Sequence, residues 1–241
     1  MVSSDAPRQN HLLSALPVQN FTYLSALLEF VELSTGDVIY EPGEIPHYAY
    51  FPTTCIVSKY CINENGASTE VAMIGKEGMI GIALFMGGET MLNRAVVITP
   101  GYAYRLRRNQ FLLETSRRGE PDNRALNRVL LRYTLALITY TGQIAACNRH
   151  HSLEQQLCRW LLLSLDRLND NQIIITHSSI ADMLGVRREG VTEAAGTLQR
   201  AGLIRYNRGH ITVLNRAGLE TRSCECYQVV KSEFDRLRYY H

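Results

Sequence analysis

The sequence contains no apolar run near the ~20 residues that a membrane-crossing helix requires, so no transmembrane helix is expected. Its first residues, MVSSDAPRQNHLLSALP, lack the basic-then-apolar form of an export signal, and a cytoplasmic chain with no membrane partner is expected. A disulfide framework is missing too. Six cysteines, at 55, 61, 147, 158, 224 and 226, are scattered along the chain, and reduced thiols are expected. The signatures of common enzyme classes do not occur: there is no glycine-rich phosphate loop, no HExxH and no GxSxG. Glu41 and Glu44 flank Pro42-Gly43 and read as turn residues rather than as a catalytic pair. No enzymatic activity is expected. Neither sign of charge dominates, and +2 over 241 residues says little about partners. What the chain does have is 46% hydrophobic residues, enough to bury a core in one large domain or two smaller ones.

The pattern of those residues changes along the chain. Leu12, Leu13, Leu16, Leu24, Leu27 and Leu28 give a short helical start. From Val31 to about Arg108, β-rich runs (Asp37–Tyr40, His47–Phe51, Cys55–Ile62, Ser68–Ile74, Ala95–Ile98) alternate with turn signals such as Pro42-Gly43, Gly87-Gly88 and Pro100-Gly101. Many short strands between regular turns predict a small barrel or jelly roll. Beyond Pro121 the period becomes helical. Leu126, Leu130, Tyr133, Leu137, Tyr140, Ile144 and Cys147 alternate spacings of four and three, a heptad seam expected to pair with a second copy of the chain. Leu131, Leu135 and Ile138 form a second apolar face on the same helix. Asn148–His151 interrupts the pattern, and a leucine-rich helix follows from Leu153. Near the end, Leu219, Val229, Val230, Phe234 and Leu237 predict one more amphipathic helix.

The most informative stretch is THSSIADMLGVRREGVTEAAGTLQRAGLI, from Thr176 to Ile204. Ile180, Met183 and Leu184 repeat at helical spacing, Gly185 supplies a turn, and Val191, Ala194, Ala195 and Leu198 form the buried stripe of a second helix. Arg187, Arg188, Glu189, Thr192 and Glu193 fall on the opposite face at its start. This is the layout of a helix-turn-helix whose second helix enters a DNA major groove. Two strand-like runs around Asn207-Arg208-Gly209 add the hairpin of a winged variant. Between Thr176 and Arg216, six arginines oppose three acids, a modest net +3 for a phosphate-binding module that a dimer would double. Arg188 can donate two hydrogen bonds to guanine, and Glu189 can accept one from cytosine N4. Thr176 is placed as the N-cap of the first helix. From that N-terminus Thr176, His177 and Ser178 are expected to reach phosphate, as are Arg208 and His210 from the wing.

A β-rich N-terminal part, a long central helix and a C-terminal winged helix-turn-helix resemble the cyclic-AMP receptor protein (Crp–Fnr) family of bacterial regulators. The likeness is most specific at Ile175-Thr-His-Ser-Ser-Ile-Ala-Asp-Met-Leu-Gly-Val-Arg-Arg-Glu-Gly-Val, which is similar to the family's helix-turn-helix signature. It implies an α+β fold: a jelly-roll effector domain at 1–120, a dimerisation helix at 121–150 and a winged DNA-binding domain at 151–241 with an extra helix. It implies a homodimeric transcription regulator on a palindromic promoter site, with double-stranded DNA, a second copy and RNA polymerase as partners. Arg188 and Glu189 match the family's arginine and glutamate, whereas Glu193 stands where the cyclic-AMP receptor carries another arginine.

The effector part departs from the family pattern. Nucleotide-binding members hold the ribose with a Gly-Glu pair and the cyclic phosphate with an arginine followed by a small hydroxyl residue. Here Gly81 is followed by Ile82, and aligning Ala95 puts Asn93 at the arginine position and Arg94 one place late. On a strand, that shift sends the side chain to the other face. Cyclic-AMP control through Gly81, Ile82 and Arg94 is therefore not expected. The alternatives are control by a cyclic nucleotide or another small molecule in a non-standard barrel pocket, or thiol or haem redox sensing.

Metal sites look poor by spacing. Cys147 and His151 share a helix face if the helix continues, but two ligands are too few for structural zinc. Cys224 and Cys226 would lie about 200° apart on one helix and share no ion without a bend. The first 54 residues hold no cysteine, unlike the iron–sulfur members of the family. Neither a metal nor a cofactor is expected.

Overall fold

The computed structural model describes residues 6–64, 66, 68–116 and 123–239. Two short helices, α1 (His11–Ser14) and α2 (Val18–Ser25), lead into strands β1 (Glu29–Leu33), β2 (Val38–Tyr40), β3 (Tyr48–Pro52), β4 (Ile56–Ile62), β5 (Ser68–Ile74), β6 (Arg94–Thr99) and β7 (Gly101–Arg107). All pair antiparallel, in a three-stranded sheet of order β1-β7-β3 and a four-stranded sheet of order β2-β6-β4-β5. Strand β6 shows why the two sheets close on each other. Ala95 and Val97 are fully buried, while Arg94, Val96 and Ile98 between them are half-buried on the outer face. This is the β jelly roll that the turn spacing predicted. Two of its strands, β1 and β7, lie outside the runs read from sequence.

After α3 (Arg108–Ser116), helix α4 runs from Asn123 to His150, 28 residues and about 42 Å. It buries Leu126, Leu130, Tyr133, Ala136, Tyr140, Ile144 and Cys147 against its own chain. Tyr133 also donates its hydroxyl proton to the carbonyl of Met79 at 2.9 Å, fixing the helix to the barrel. The seam expected at a dimer interface is thus an internal one, and Leu126, Leu130, Tyr133, Tyr140, Ile144 and Cys147 are not available to a partner. Leu137 is half-buried and packs on the same core. The face left open carries Leu131, Leu135 and Ile138, at 60%, 48% and 61% exposure. The reason is that both stripes have heptad spacing. The one with tyrosines is the one whose polar tips find backbone partners in the barrel.

Helix α5 (Leu153–Arg167) follows with a complete capping box. The Ser152 hydroxyl accepts from the Gln155 N–H, and the Gln155 carboxamide accepts from the Ser152 N–H. Almost all of α5 is buried, and Arg167 pairs with Glu77 of the barrel at 2.8 Å with both groups nearly dry. That buried pair ties the first helix of the C-terminal part to the loop after β5. The remaining elements are β8 (Gln172–Ile174), α6 (His177–Leu184), α7 (Arg188–Arg200), β9 (Ile204–Asn207), β10 (His210–Val213), α8 (Arg216–Arg222) and α9 (Glu225–Asp235). Strands pair in the order β8-β10-β9. Where one terminal helix was expected there are two, because the chain is extended at Ser223 and Cys224.

Candidate nucleic-acid interface

Helices α6 and α7 are set by local chemistry. The Thr176 hydroxyl accepts from the Ser179 N–H at 3.1 Å, closing the start of α6. Gly185 ends it in the left-handed region, at φ +66°, with its α-carbon facing the Thr69 side chain of β5. A methyl group there meets both a strained backbone and Thr69 Oγ1 at 3.1 Å. Gly185→Ala is expected to cost about 1–2 kcal/mol, read as a lowered urea midpoint at unchanged slope.

On α7, Val191, Ala194, Ala195 and Leu198 are buried and Arg187, Arg188, Glu189, Thr192 and Glu193 are exposed. The structure therefore brings these five polar residues onto one open face at the helix start. The wing is a two-residue turn at Arg208-Gly209, both with positive φ, closing β9 on β10 with His210 opposite Asn207. Arg208 and His210 are exposed but border a cleft of about 570 Å³ between the winged part and the outer face of the four-stranded sheet. Thr176 borders it too, while Ser178 is simply exposed.

His177 differs from its expected role. Its ring is nearly buried, stacked on Tyr206 with centroids 3.9 Å apart, and Nδ1 lies 3.0 Å from the Thr192 hydroxyl. That hydroxyl donates to the Arg188 carbonyl at 3.1 Å, so Nδ1 is the donor in the histidine–threonine bond. His177 thus braces α6, α7 and the wing against one another instead of reaching phosphate. Tyr206, which the sequence reading passed over, is the partner that makes this brace.

Burial and the positive charge of Arg188 hold the His177 imidazole below its ordinary pKa. As pH falls through the ordinary histidine range, near 6.5, the unfolded chain takes up a proton that the folded chain resists. The His177 contribution to stability is full above that range and is lost as pH falls through it toward the lowered folded-state value. Thermal unfolding of wild type against His177→Phe, which keeps the ring stack, checks this: the variant is expected to lose less stability between neutral and acidic pH.

The three candidate effector residues do not converge. Arg94 lies on the outer face of β6, paired with Glu41 at 3.0 Å, and lines the cleft toward the winged part. Gly81 and Ile82 lie elsewhere, at the start of a buried turn, and that cleft includes neither. The one-place shift of the arginine has the consequence that strand geometry predicts.

The spacing argument against the cysteines also fails in three dimensions. Cys224 is extended and caps α9 rather than lying within it, so Cys224 and Cys226 are not separated by a helical rotation. Cys147, His151, Cys224 and Cys226 come together, their ligand atoms all within 4.8 Å of one another. The signal that sequence offered was the pair of close spacings, but nothing local placed one pair beside the other.

A jelly-roll β domain, a long helix and a winged helix-turn-helix with an open charged face define a DNA-binding protein built on a β jelly roll. Comparison with known proteins agrees. The cyclic nucleotide-binding domain matches residues 30–115, and the Crp-like helix-turn-helix domain matches residues 155–222. The chain belongs to the Crp–Fnr family of transcription regulators. It is 22% identical over 202 residues to the global nitrogen regulator of Synechococcus elongatus, covering 80% of this chain and 88% of that one. Its fold is similar to that of a putative Crp/Fnr-family transcriptional regulator from Eubacterium rectale (TM-score 0.67, 16% identity, 89% of this chain and 98% of that one). FixK2 from Bradyrhizobium japonicum is also similar (TM-score 0.66, 17% identity, 82% and 98%).

Proposed function

We propose that this chain acts as a homodimer that binds a palindromic promoter site sequence-specifically and recruits or obstructs RNA polymerase there. The observation that carries this reading is the α7 face. An apolar half locks the helix into its domain, while Arg187, Arg188, Glu189, Thr192 and Glu193 stand open at its N-terminal end. In this reading Arg188 and Glu189 read bases, Glu193 alters the preference at the neighbouring step, and Arg187, Thr176, Ser178, Arg208 and His210 hold phosphates.

Residues 1–120 then serve as sensor or scaffold, 121–150 as the dimer helix and 151–241 as the DNA-binding part. The dimer seam is the exposed stripe Leu131, Leu135 and Ile138, continued by the small residues Gly142 and Ala145 at the same alternating spacing. Because Thr176, Arg208 and His210 border the cleft against the barrel, DNA binding goes with a shift of the winged parts that opens it. The fraction of molecules in that arrangement sets affinity.

Cyclic AMP is not the control. Ile82 offers no carboxylate to a ribose, and Arg94 points away from the barrel interior. The test is to titrate promoter fragments with ligand-free protein and with protein at saturating cyclic AMP, at one salt concentration. Equal affinities are expected. A gain of about 100-fold on adding the nucleotide would overturn this part of the reading.

A further inference from the structure

Where α4 ends, four side chains of metal-ligand type meet although they come from separate parts of the chain. Cys147 lies in the last turn of α4 and His151 in the link to α5. Cys224 caps α9, and Cys226 is that helix's second residue. Cys147 Sγ is 3.5 Å from Cys224 Sγ, and Cys226 Sγ is 3.6 Å from His151 Nδ1. The three thiols are buried and form a cluster of their own, packed on one another apart from the main hydrophobic core.

We propose that Cys147, His151, Cys224 and Cys226 are the ligands of a single tetrahedral zinc ion. Zinc bonds of about 2.3 Å to sulfur and about 2.0–2.1 Å to nitrogen make the edges of a tetrahedron about 3.5–3.8 Å long. Two edges already have that length, and the widest ligand separation, 4.8 Å, closes with a shift of about 1 Å. An iron–sulfur cluster spreads its ligands over two or more irons and would bring them together at most two by two, not all four within 4.8 Å. A Cys147–Cys224 disulfide would use two of the four groups and leave the meeting of Cys226 with His151 without a purpose.

The second layer fits as well. His151 Nε2 lies 3.3 Å from Glu225 Oε1, so the carboxylate orients the ring with Nδ1 toward the sulfurs. Three thiolates and one imidazole fill all four positions, which makes the site structural and closed, with no place for a substrate. Its role follows from its position. The ion would clamp α9, a terminal element, onto the junction between the long helix and the DNA-binding part. Zinc binding would then set the stiffness of the joint across which the two parts move.

The test is cobalt(II) titration of the reduced, metal-stripped full chain, followed by competition with zinc and by metal analysis of the protein as purified. Expected are about one ion per chain, thiolate-to-cobalt charge transfer with the visible bands of tetrahedral coordination, and their loss when zinc is added. Cys226→Ser and His151→Ala should abolish tight uptake. Cys61→Ser, at an exposed thiol outside the cluster, should not change it. Glu225→Gln, at a mostly exposed position that does not threaten the fold, should weaken binding about 10-fold. Four results would each overturn the proposal: no cobalt uptake by the folded wild type, unchanged uptake by both ligand variants, an iron–sulfur chromophore in anaerobically purified protein, or a metal-free Cys147–Cys224 disulfide in protein grown with zinc.

Discussion

Replacing Leu135 and Ile138 together by aspartate is expected to turn the protein into a monomer and to lower its affinity for a palindromic site about 10²–10⁴-fold. Both side chains are about half exposed in the single chain, so aspartate there costs the monomer little and its helical signal should be unchanged. In a dimer the same positions would place carboxylates across a dry seam, where an unpaired charge is expensive. Two linked recognition helices bind a two-half-site duplex far more tightly than one, because the second contact is made at high local concentration. Sedimentation and DNA titration of the variant read the two effects separately. The comparison that decides the dimer face is a matched change on the other stripe: Tyr140→Asp, at a fully buried position, should unfold the chain rather than dissociate it.

Arg188→Ala is expected to cost about 1–3 kcal/mol of specific binding, or about 5- to 150-fold, and to relax preference at one base pair in each half-site. The guanidinium stands exposed at the start of α7, so its loss should leave folding intact. The chemistry behind the size of the effect is the two-pronged bond to guanine, which no single-point cation reproduces. A loss of the same size on every DNA sequence, with a shallower salt dependence, would instead make Arg188 a phosphate contact. Arg187 is the internal comparison. As a phosphate contact, its alanine variant should weaken specific and non-specific binding alike.

How much of this could be read in advance depended on how local the signal was. The helix-turn-helix was legible because its cap, its turn glycine and its apolar stripe lie within one short window around Thr176, Gly185 and Val191. The wing was legible for the same reason, in the Arg208-Gly209 turn. Strand β7 was not, since its burial does not alternate: Tyr102 is exposed although it shares a face with the buried Tyr104 and Leu106, and Ala103 on the other face is buried too. The role of His177 was hidden because its partners, Thr192 and Tyr206, come from the next helix and the wing.

The two faces of α4 show a different limit. Spacing identifies stripes, and this helix has two with the same spacing. Which of them meets the barrel is decided by what the barrel offers, here the Met79 carbonyl for Tyr133. The metal-ligand cluster lies further still from local inference. Treating residues 219–237 as one helix separated Cys224 from Cys226, and only the extended backbone at Ser223 and Cys224 puts both thiols beside Cys147. Non-local encounters of this kind leave no period in a sequence.

The most direct test of the central claim is selection of binding sites from a pool of random duplexes by the ligand-free protein, with specific and non-specific affinity then measured at fixed salt. The account predicts enrichment of an inverted repeat whose half-site centres lie about 34 Å apart, one turn of the duplex, with guanine and cytosine at the positions facing Arg188 and Glu189. Enrichment of no sequence, or of a single half-site without symmetry, would contradict it.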